Sequence, residues 1–337
     1  MFNFDVVSGT VARKIIQESR SELVTVVKEA YLTHYAGSSV NPNSYFLRFP
    51  ENPSARIIAL PAYLGGEYDV AGIKWISSFP ENIKNNVPRA SAVLLLNDYA
   101  TGYPFACLEA SQISAARTAA SAVLGAAQLL GRTNAERITV VGSGIIARNI
   151  IEFFAAEDWK VGEFAIVDHK AEYAELLAAH VRDELGYSAS RFDDLPTAFD
   201  GADVIVLATT APEPYIVEPG AFAPGQVVLN ISLRDISPDL VLSSHNVVDD
   251  VDHCLTANTS PHLAEQQTGN RDFISGVLAQ VIRGEVSLDA ERPRIFSPFG
   301  LGVLDLAVGS YIHRRAVESG QTQAIDGFFG ETERWGK

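Results

Sequence analysis

Cysteine is scarce in this chain: 337 residues carry two, Cys107 and Cys254, far apart and without metal-ligand spacing. That scarcity excludes a disulfide framework and points to a reducing compartment, so a cytoplasmic location is expected. Positive charge is also short. Lys and Arg number 26 against 41 Asp and Glu, a formal net charge of -15. Phosphate contacts need basic surface, so nucleic acid is not an expected partner. No apolar run reaches the ~18 residues of a membrane span. The opening MFNFDVVSGTVARKII lacks the basic-then-apolar order of a signal peptide. No membrane association is therefore expected. Neither internal repeats nor low-complexity segments are visible. What is present is an ordinary globular composition, 47% hydrophobic and 20% charged. The chain is long enough for two domains and a sizeable core.

Three regions differ in rhythm. The first runs to about residue 130. Helical spacing in VARKIIQESRSELVTVVKEAYLTHYAG predicts a helix with Ile15, Ile16, Leu23, Val26, Val27, Ala30 and Tyr31 on one side and Gly37 as its stop. YFLRF, ARIIALPAYLGG, AGIKWISSF and SAVLLLND read as strands of an antiparallel meander. LEASQISAARTAASAVLGAAQLLG reads as an alanine-rich helix whose small residues permit close packing on a sheet. The second region, 131–300, alternates apolar strands (RITVVG, EFAIVDH, DVIVLAT, QVVLNIS, NVVDDVD) with amphipathic helices, which predicts βαβ units and a parallel sheet. The third is a helix around GLGVLDLAVGSYIHRRAVESG, within 301–330, expected to pack back on the first region. The tail GFFGETERWGK is expected to fray. The fold class is thus α/β: a Rossmann-type dinucleotide-binding domain over 131–300 and an α+β domain over 1–130.

The stretch RITVVGSGIIARNII carries the first chemical signal. Gly142-x-Gly144-x-x-Ala147 follows an apolar strand and opens a helix, the context a dinucleotide loop requires. The first glycine allows the tight turn, the second lets a pyrophosphate approach the backbone, and the third place needs only a small residue. The helix N-terminus offers N–H donors to phosphate. Asp168 ends the next strand, where a carboxylate bonds ribose hydroxyls and repels a 2′-phosphate. NAD is the favoured cofactor, although His169 and Lys170 follow directly. The plainer alternative is a simple βα turn and a surface acid.

Arg48, Lys74 and Arg117 are the second signal. Each sits among apolar or small residues, where a charge is costly unless paired. Protein carboxylates are one kind of partner. An anionic substrate is the other, and the arginine fork suits a carboxylate. Asp235, in LNISLRDISPDL, lies just past a strand end, where ligands bind in open α/β sheets. It is either an acid/base candidate or a turn aspartate, with Arg234 as a possible ion-pair partner. VVDDVDHC gathers Asp249, Asp250, Asp252 and His253, but a strand end followed by a helix cap explains it equally, so no metal is expected.

With these residues in place, the chain resembles the ornithine cyclodeaminase/μ-crystallin family over nearly its whole length. The motifs LPAYLGG, GIKWISSFPEN, LNDYATGYPFACLE, SAARTAAS, VVGSGIIA, LNISLRD and FSPFGLGVLDLA carry the resemblance. GIKWISSFP, RASAVLLLND, LEASQISAARTAASAV and NTSPHLAEQQTGNRDFISGVLAQVIRGE are similar to one branch, the dehydrogenases that form L-2,3-diaminopropionate for siderophores and peptide antibiotics. The resemblance implies that Arg48, Lys74 and Arg117 hold a substrate α-carboxylate, Arg117 also touching the cofactor. It implies that Asp235, five residues after Asn230, is catalytic, as is Lys74. Gly142, Gly144, Ile145, Ile146, Asp168, Thr209 (Thr210 a near alternative), Asn230 and Ser297 would contact NAD, the segment from Ser297 to Gly300 facing the nicotinamide. Arg89, in VPRASAV, is a further candidate for the substrate's several carboxylates. A homodimer, formed through the first region's sheet, and a pyridoxal-phosphate (PLP)-dependent synthase as pathway partner are implied too. Many cyclodeaminases read Gly-x-Gly-Ala-Gln in the loop and Asn-Ala-Val-Gly in the later strand. Here the residues are Gly-Ser-Gly-Ile-Ile and Asn230-Ile231-Ser232-Leu233, which points away from ornithine. The rival readings are ornithine or lysine cyclodeamination, ketimine reduction, an opine-type dehydrogenase, and a μ-crystallin-like binding protein with little turnover.

Overall fold

In the computed structural model, which describes residues 2–335, the N-terminal apolar stripe is carried by two helices, not one. They are Gly9–Glu18 and Arg20–Tyr35. Ser19 leaves helical geometry (φ -131°, ψ 25°) and caps both. The break lets the chain turn while Ile15, Ile16, Leu23 and Val27 all stay buried. Gly37, with φ +78°, follows the second helix, a conformation open to glycine at no steric cost.

The chain divides into two compact units, Met1–Arg117 with Leu301–Lys337, and Thr118–Gly300. The first division falls inside helix Ser111–Leu130, earlier than the boundary expected after residue 130, because that helix runs unbroken through the change of unit.

In the first unit the meander is present. Tyr45–Phe49, Asn52–Leu64, Val70–Ser78, Ala90–Asp98 and Pro104–Glu109 pair antiparallel in sequence order. Asp5–Val7 adds in parallel beyond them, and Gln323–Ala324 closes that edge. Helix Gly302–Glu318 packs on this sheet and is buried at every residue from Gly302 to Gly309. A helix apolar all round belongs in a core, which makes its lone early carboxylate, Asp305, conspicuous. The tail is docked further than expected. Ile325 N–H donates to the Phe4 carbonyl at 2.8 Å. Phe328 stacks on Phe4 with centroids 3.8 Å apart, and Phe329 meets Tyr103 edge-on. Apolar burial outweighs the polar composition of the segment up to that point. Gly336 and Lys337 of that tail lie outside the described residues.

The second unit is an eight-stranded sheet in the order Ala189–Arg191, Lys160–Val167, Asn134–Val141, Val204–Leu207, Val227–Asn230, Arg294–Ser297, His245–Val248, Ile274–Val277. All neighbours are parallel. The inner strands Val204–Leu207, Val227–Asn230 and His245–Val248 are buried at every residue, the signature of a sheet covered on both faces. The chain winds outward from Asn134–Val141 to Ala189–Arg191, then returns to Val204–Leu207 on the other side. That reversal is the point where such sheets bind ligands. Three strands escape the sequence reading, Ala189–Arg191, Ile274–Val277 and Arg294–Ser297, because each has only three or four residues and no alternation of its own.

Helix Ser111–Leu130 is, by length and composition, apolar enough to cross a membrane, contrary to the reading that no such run exists. Its most apolar stretch is 67% buried inside the protein, which marks it as a core helix. A Cβ at Gly125 would lie 2.6 Å from the Phe296 ring, so glycine there sets the closeness of helix to sheet.

Candidate functional site

The second unit builds its loop from one steric necessity. Strand Asn134–Val141 must turn at once, and Gly142 does so with φ +97° while its N–H donates to the Val167 carbonyl at 2.8 Å. A Cβ there would lie 2.5 Å from the Ala208 carbonyl oxygen. Gly144 differs. Its φ is -79°, and no protein atom lies within 4 Å of where its Cβ would stand. It is the N-cap of helix Ile145–Ala156, and no side chain caps that end. First-turn N–H groups and the helix dipole are thus left for an anion. Ala147 is fully buried, as a helix seated on its strand requires, while Ile145 is 52% exposed and Ile146 half-buried.

Asp168 stands at the end of the neighbouring strand, with Oδ2 accepting from Ser143 N–H at 2.8 Å and Oδ1 from Lys170 N–H at 2.9 Å. The loop and the acid are therefore one assembly. His169 Nδ1 also lies 3.0 Å from Oδ1, whereas Oδ2 has one donor and keeps capacity for another, so a ribose hydroxyl fits there. These residues suit a dinucleotide: a turn that excludes side chains, an uncapped helix end, and a carboxylate where the ribose of such a ligand falls. Replacing Asp168 with serine should shift the preference from NAD towards NADP, because the charge that repels a 2′-phosphate is gone. Kd values for both cofactors measure this, and an unchanged ratio would count against the ribose contact.

Further strand ends of the same sheet gather polar groups. Asp235 is fully enclosed, and three hydroxyls donate to it: Thr209 Oγ1 (2.7 Å to Oδ2), Ser232 Oγ (2.8 Å) and Tyr215 OH (3.1 Å). Burial raises its pKa, and the three hydroxyls pull it part of the way back. Arg234 is not its partner. That guanidinium instead donates to the carbonyls of Pro212 and Ala257. Thr209 is the loop threonine that bonds Asp235, and Thr210 is exposed. Asn230 Nδ2 donates to Ser297 Oγ at 3.0 Å, both residues being buried. Asp249 accepts from Gly300 N–H at 2.6 Å and pins the segment after Ser297. Asp250 caps helix Val251–Cys254 by accepting from His253 N–H, the cap reading of VVDDVDHC.

In the first unit, Lys74 is 1% exposed, and its Nζ lies 2.6 Å from Asp305 Oδ2 and 3.3 Å from Ser114 Oγ. Arg117 Nε is 3.4 Å from the other oxygen of Asp305. Two cations thus share one carboxylate, and a single positive charge remains. Burial lowers the Lys74 pKa to about 8. Asp305 works against that fall, and the Arg117 charge adds to it. Arg48 is elsewhere, exposed on its strand with the guanidinium over the Phe46 ring. Arg89 donates to Ser78 Oγ. So Lys74 and Arg117 have a protein carboxylate, the plainer of the two readings, and still keep net charge for an anion. Asp305, Tyr215 and Ser232 were missed as site residues, and Asp249, noted in the VVDDVDHC cluster, was not assigned its bond to Gly300. Of the three that were missed, only Asp305 had a visible signal, a carboxylate alone in the apolar stretch GLGVLDLAV.

A parallel sheet that reverses its winding beside a glycine loop and an acidic strand end defines the dinucleotide-binding class of α/β proteins. Comparison with known proteins narrows the class. The profile of the Ornithine cyclodeaminase/mu-crystallin family matches residues 9–320. N-((2S)-2-amino-2-carboxyethyl)-L-glutamate dehydrogenase of Staphylococcus aureus is 30% identical, over 87% of this chain and 89% of that one. Delta(1)-pyrroline-2-carboxylate reductase of Bacillus cereus is 25% identical, over 95% and 99%. The solved structure of the Thermococcus litoralis reductase of that name, in complex with NADH and L-proline, superposes with a TM-score of 0.87 at 23% identity, over 96% of this chain and all of that one. The chain belongs to the ornithine cyclodeaminase/mu-crystallin family.

Proposed function

We propose that this chain oxidises N-(1-amino-1-carboxy-2-ethyl)-L-glutamate with NAD, giving L-2,3-diaminopropionate and 2-oxoglutarate. The broader statement is plain: it is an NAD-dependent oxidoreductase of its family, acting on the CH–NH bond of an amino-acid-derived substrate. The observation that carries the narrower one is the 30% identity, over 87% of this chain and 89% of the other, with a dehydrogenase of such a glutamate derivative. The cationic face of the first unit supports it, since a substrate with several carboxylates needs several cations.

Gly142, Gly144, Ile145, Ile146, Asp168, Thr209, Asn230 and Ser297 would hold the cofactor, together with Arg117. Bound NAD supplies the acceptor for a hydride from the glutamate Cα. The Cα–H bond breaks with its electron pair, the amine gives up its proton, and a C=N bond forms. Water then adds to that carbon, the C–N bond breaks, and the amine leaves. Arg48, Lys74 and Arg117 would hold the carboxylate beside the reacting carbon, and Arg89 would serve another carboxylate. Asp235 would take the amine proton. Its oxygens are enclosed, so the proton would travel through the hydroxyl of Thr209 or of Tyr215, the latter residue being 40% exposed.

Incubation with NAD and this substrate should give NADH absorbance and both products by mass; no NADH from a folded protein would sink the reading. Arg117→Ala should lose most of that turnover while melting like the parent, and near-normal kcat/KM would remove its assigned role. A second reading, reduction of a cyclic imine acid, is favoured by the Bacillus cereus relative. Consumption of NADH on Δ1-pyrroline-2-carboxylate separates the two. A homodimer is proposed as well, because Tyr45, Trp75 and Val93 lie exposed in one cross-strand row of the first unit's sheet. A PLP-dependent synthase would supply the substrate.

A further inference from the structure

A buried carboxylate in the second unit serves backbone rather than a cation. Asp249 is the first residue after strand His245–Val248 and is 4% exposed. Among the described residues no Lys or Arg pairs with it. Its strand lies parallel to Arg294–Ser297, with Val248 opposite Ser297, so the two chains leave the sheet side by side. Past Ser297 the chain is out of the ladder, and Pro298 has no N–H to place. The next two N–H groups, of Phe299 and Gly300, both donate to the Asp249 carboxylate, the latter to Oδ2 at 2.6 Å. Oδ1 accepts from Asp250 N–H at 2.9 Å. Cys254, 1% exposed at the end of the short helix that follows, donates its S–H to the Ser297 carbonyl at 3.2 Å. The His253 ring meets the Phe299 ring edge-on, and Gly300 turns the chain with φ +96°.

Burying a carboxylate is costly. Burial pushes the Asp249 carboxyl above its ordinary range, and the N–H groups of Gly300, Phe299 and Asp250, with His253, pull it back. Charge-assisted bonds are shorter and stronger than neutral ones, so this carboxylate fixes the segment more firmly than an amide would. The place of the segment in the sheet gives that rigidity a use. A dinucleotide lies across the reversal of winding, one mononucleotide to each half. The glycine loop and Asp168 mark the adenosine half. The nicotinamide half therefore falls over the strand ends on the other side, at Leu207, Asn230 and Ser297.

We propose that Asp249 and Cys254 are positioning residues, a clamp that holds the segment from Ser297 to Gly300 as a fixed wall against the nicotinamide ring. They touch neither cofactor nor substrate and act through the backbone they hold. A ring kept at one depth and tilt offers one face to the reacting carbon, which hydride transfer requires. The proposal rests on NAD as the cofactor and not on the choice of substrate.

ADP-ribose carries the adenosine, pyrophosphate and second ribose of NADH but no nicotinamide. Titration of each into the full chain, parent and Asp249→Asn, separates the two halves. The dihydronicotinamide fluoresces, so its emission reports the walls around it. Bound to the parent, NADH should emit more strongly than free NADH. Asparagine keeps the shape but sets an N–H donor against a backbone N–H. In that variant NADH affinity should fall about tenfold, the worth of one charge-assisted hydrogen bond, and most of the emission gain should vanish. The Kd for ADP-ribose should stay within about twofold, and thermal melts report the fold. Should Asp249→Asn fail to fold, Cys254→Ala frees the Ser297 carbonyl alone and should show the same split with a smaller loss. A folded variant that binds NADH and enhances its emission like the parent overturns the clamp. So does ADP-ribose affinity falling in step with that of NADH, because the change is then not confined to the nicotinamide end. A parent whose bound NADH emits like the free cofactor overturns it too. Neither ligand is turned over, so a lack of NADH from the glutamate derivative would remove the substrate reading and leave the clamp standing.

Discussion

Asp305→Ala should destabilise the protein by about 3–5 kcal/mol at neutral pH, the usual cost of removing one partner of a buried ion pair. The partner left behind is Lys74, 1% exposed, with Ser114 as its remaining hydrogen-bond acceptor and Arg117 adding like charge. The pH dependence has a definite sign. Lys74 has a native pKa of about 8 against an ordinary 10.5. Between those values the unfolded chain holds the proton and the folded chain has released it, so stability contributed by this group rises with pH there. Below about 8 the penalty of burying the charge is fully present. Removing Asp305 withdraws the group that works against the fall, so the native pKa drops further and the window widens downward. Urea unfolding of parent and variant at neutral pH and near pH 10 measures both effects. The gap should shrink as pH rises, and a difference under about 1 kcal/mol at neutral pH would mean the pair does not hold the charge in place. Carboxylate binding to the Lys74 ammonium should weaken through the same region around pH 8.

The second large effect separates two glycines of one loop. Gly142→Ala should lower stability, by about 1–3 kcal/mol for the backbone conformation alone, because φ is +97° and the new Cβ would sit 2.5 Å from the Ala208 carbonyl oxygen. NAD binding should fall with it. Gly144→Ala should leave stability within about 0.5 kcal/mol or raise it slightly, since φ is -79° and no protein atom lies nearby. Its NAD affinity should drop at least about tenfold, the methyl standing where a pyrophosphate approaches the backbone. Thermal melts with and without NAD distinguish the two. If both variants lose stability equally, Gly144 is structural and its ligand role is wrong.

Much of this molecule is readable residue by residue. The βα rhythm of the second unit, the loop at Gly142 and Gly144, the acid at Asp168 and the meander of the first unit all follow from short-range rules. Those rules are the period of apolar side chains, the φ that glycine alone adopts freely, and the place where a strand ends. Ser19 shows their limit, because a stripe that is continuous in sequence is split by a bend that keeps both halves buried.

The partners of the charged residues were another matter. Arg48, Lys74 and Arg117 looked alike as three cations in apolar settings, with protein and ligand partners equally open. The sequence by itself determined that such charges needed partners and that a dinucleotide loop was present. Only the tertiary structure decided that Asp305, 231 residues from Lys74, answers Lys74 and Arg117 together, that Asp235 is enclosed by three hydroxyls while Arg234 points elsewhere, and that Arg89 closes on Ser78. The reason is physical: helix and strand periodicity act over a few residues, whereas the pairing of a buried charge depends on which distant elements pack against it.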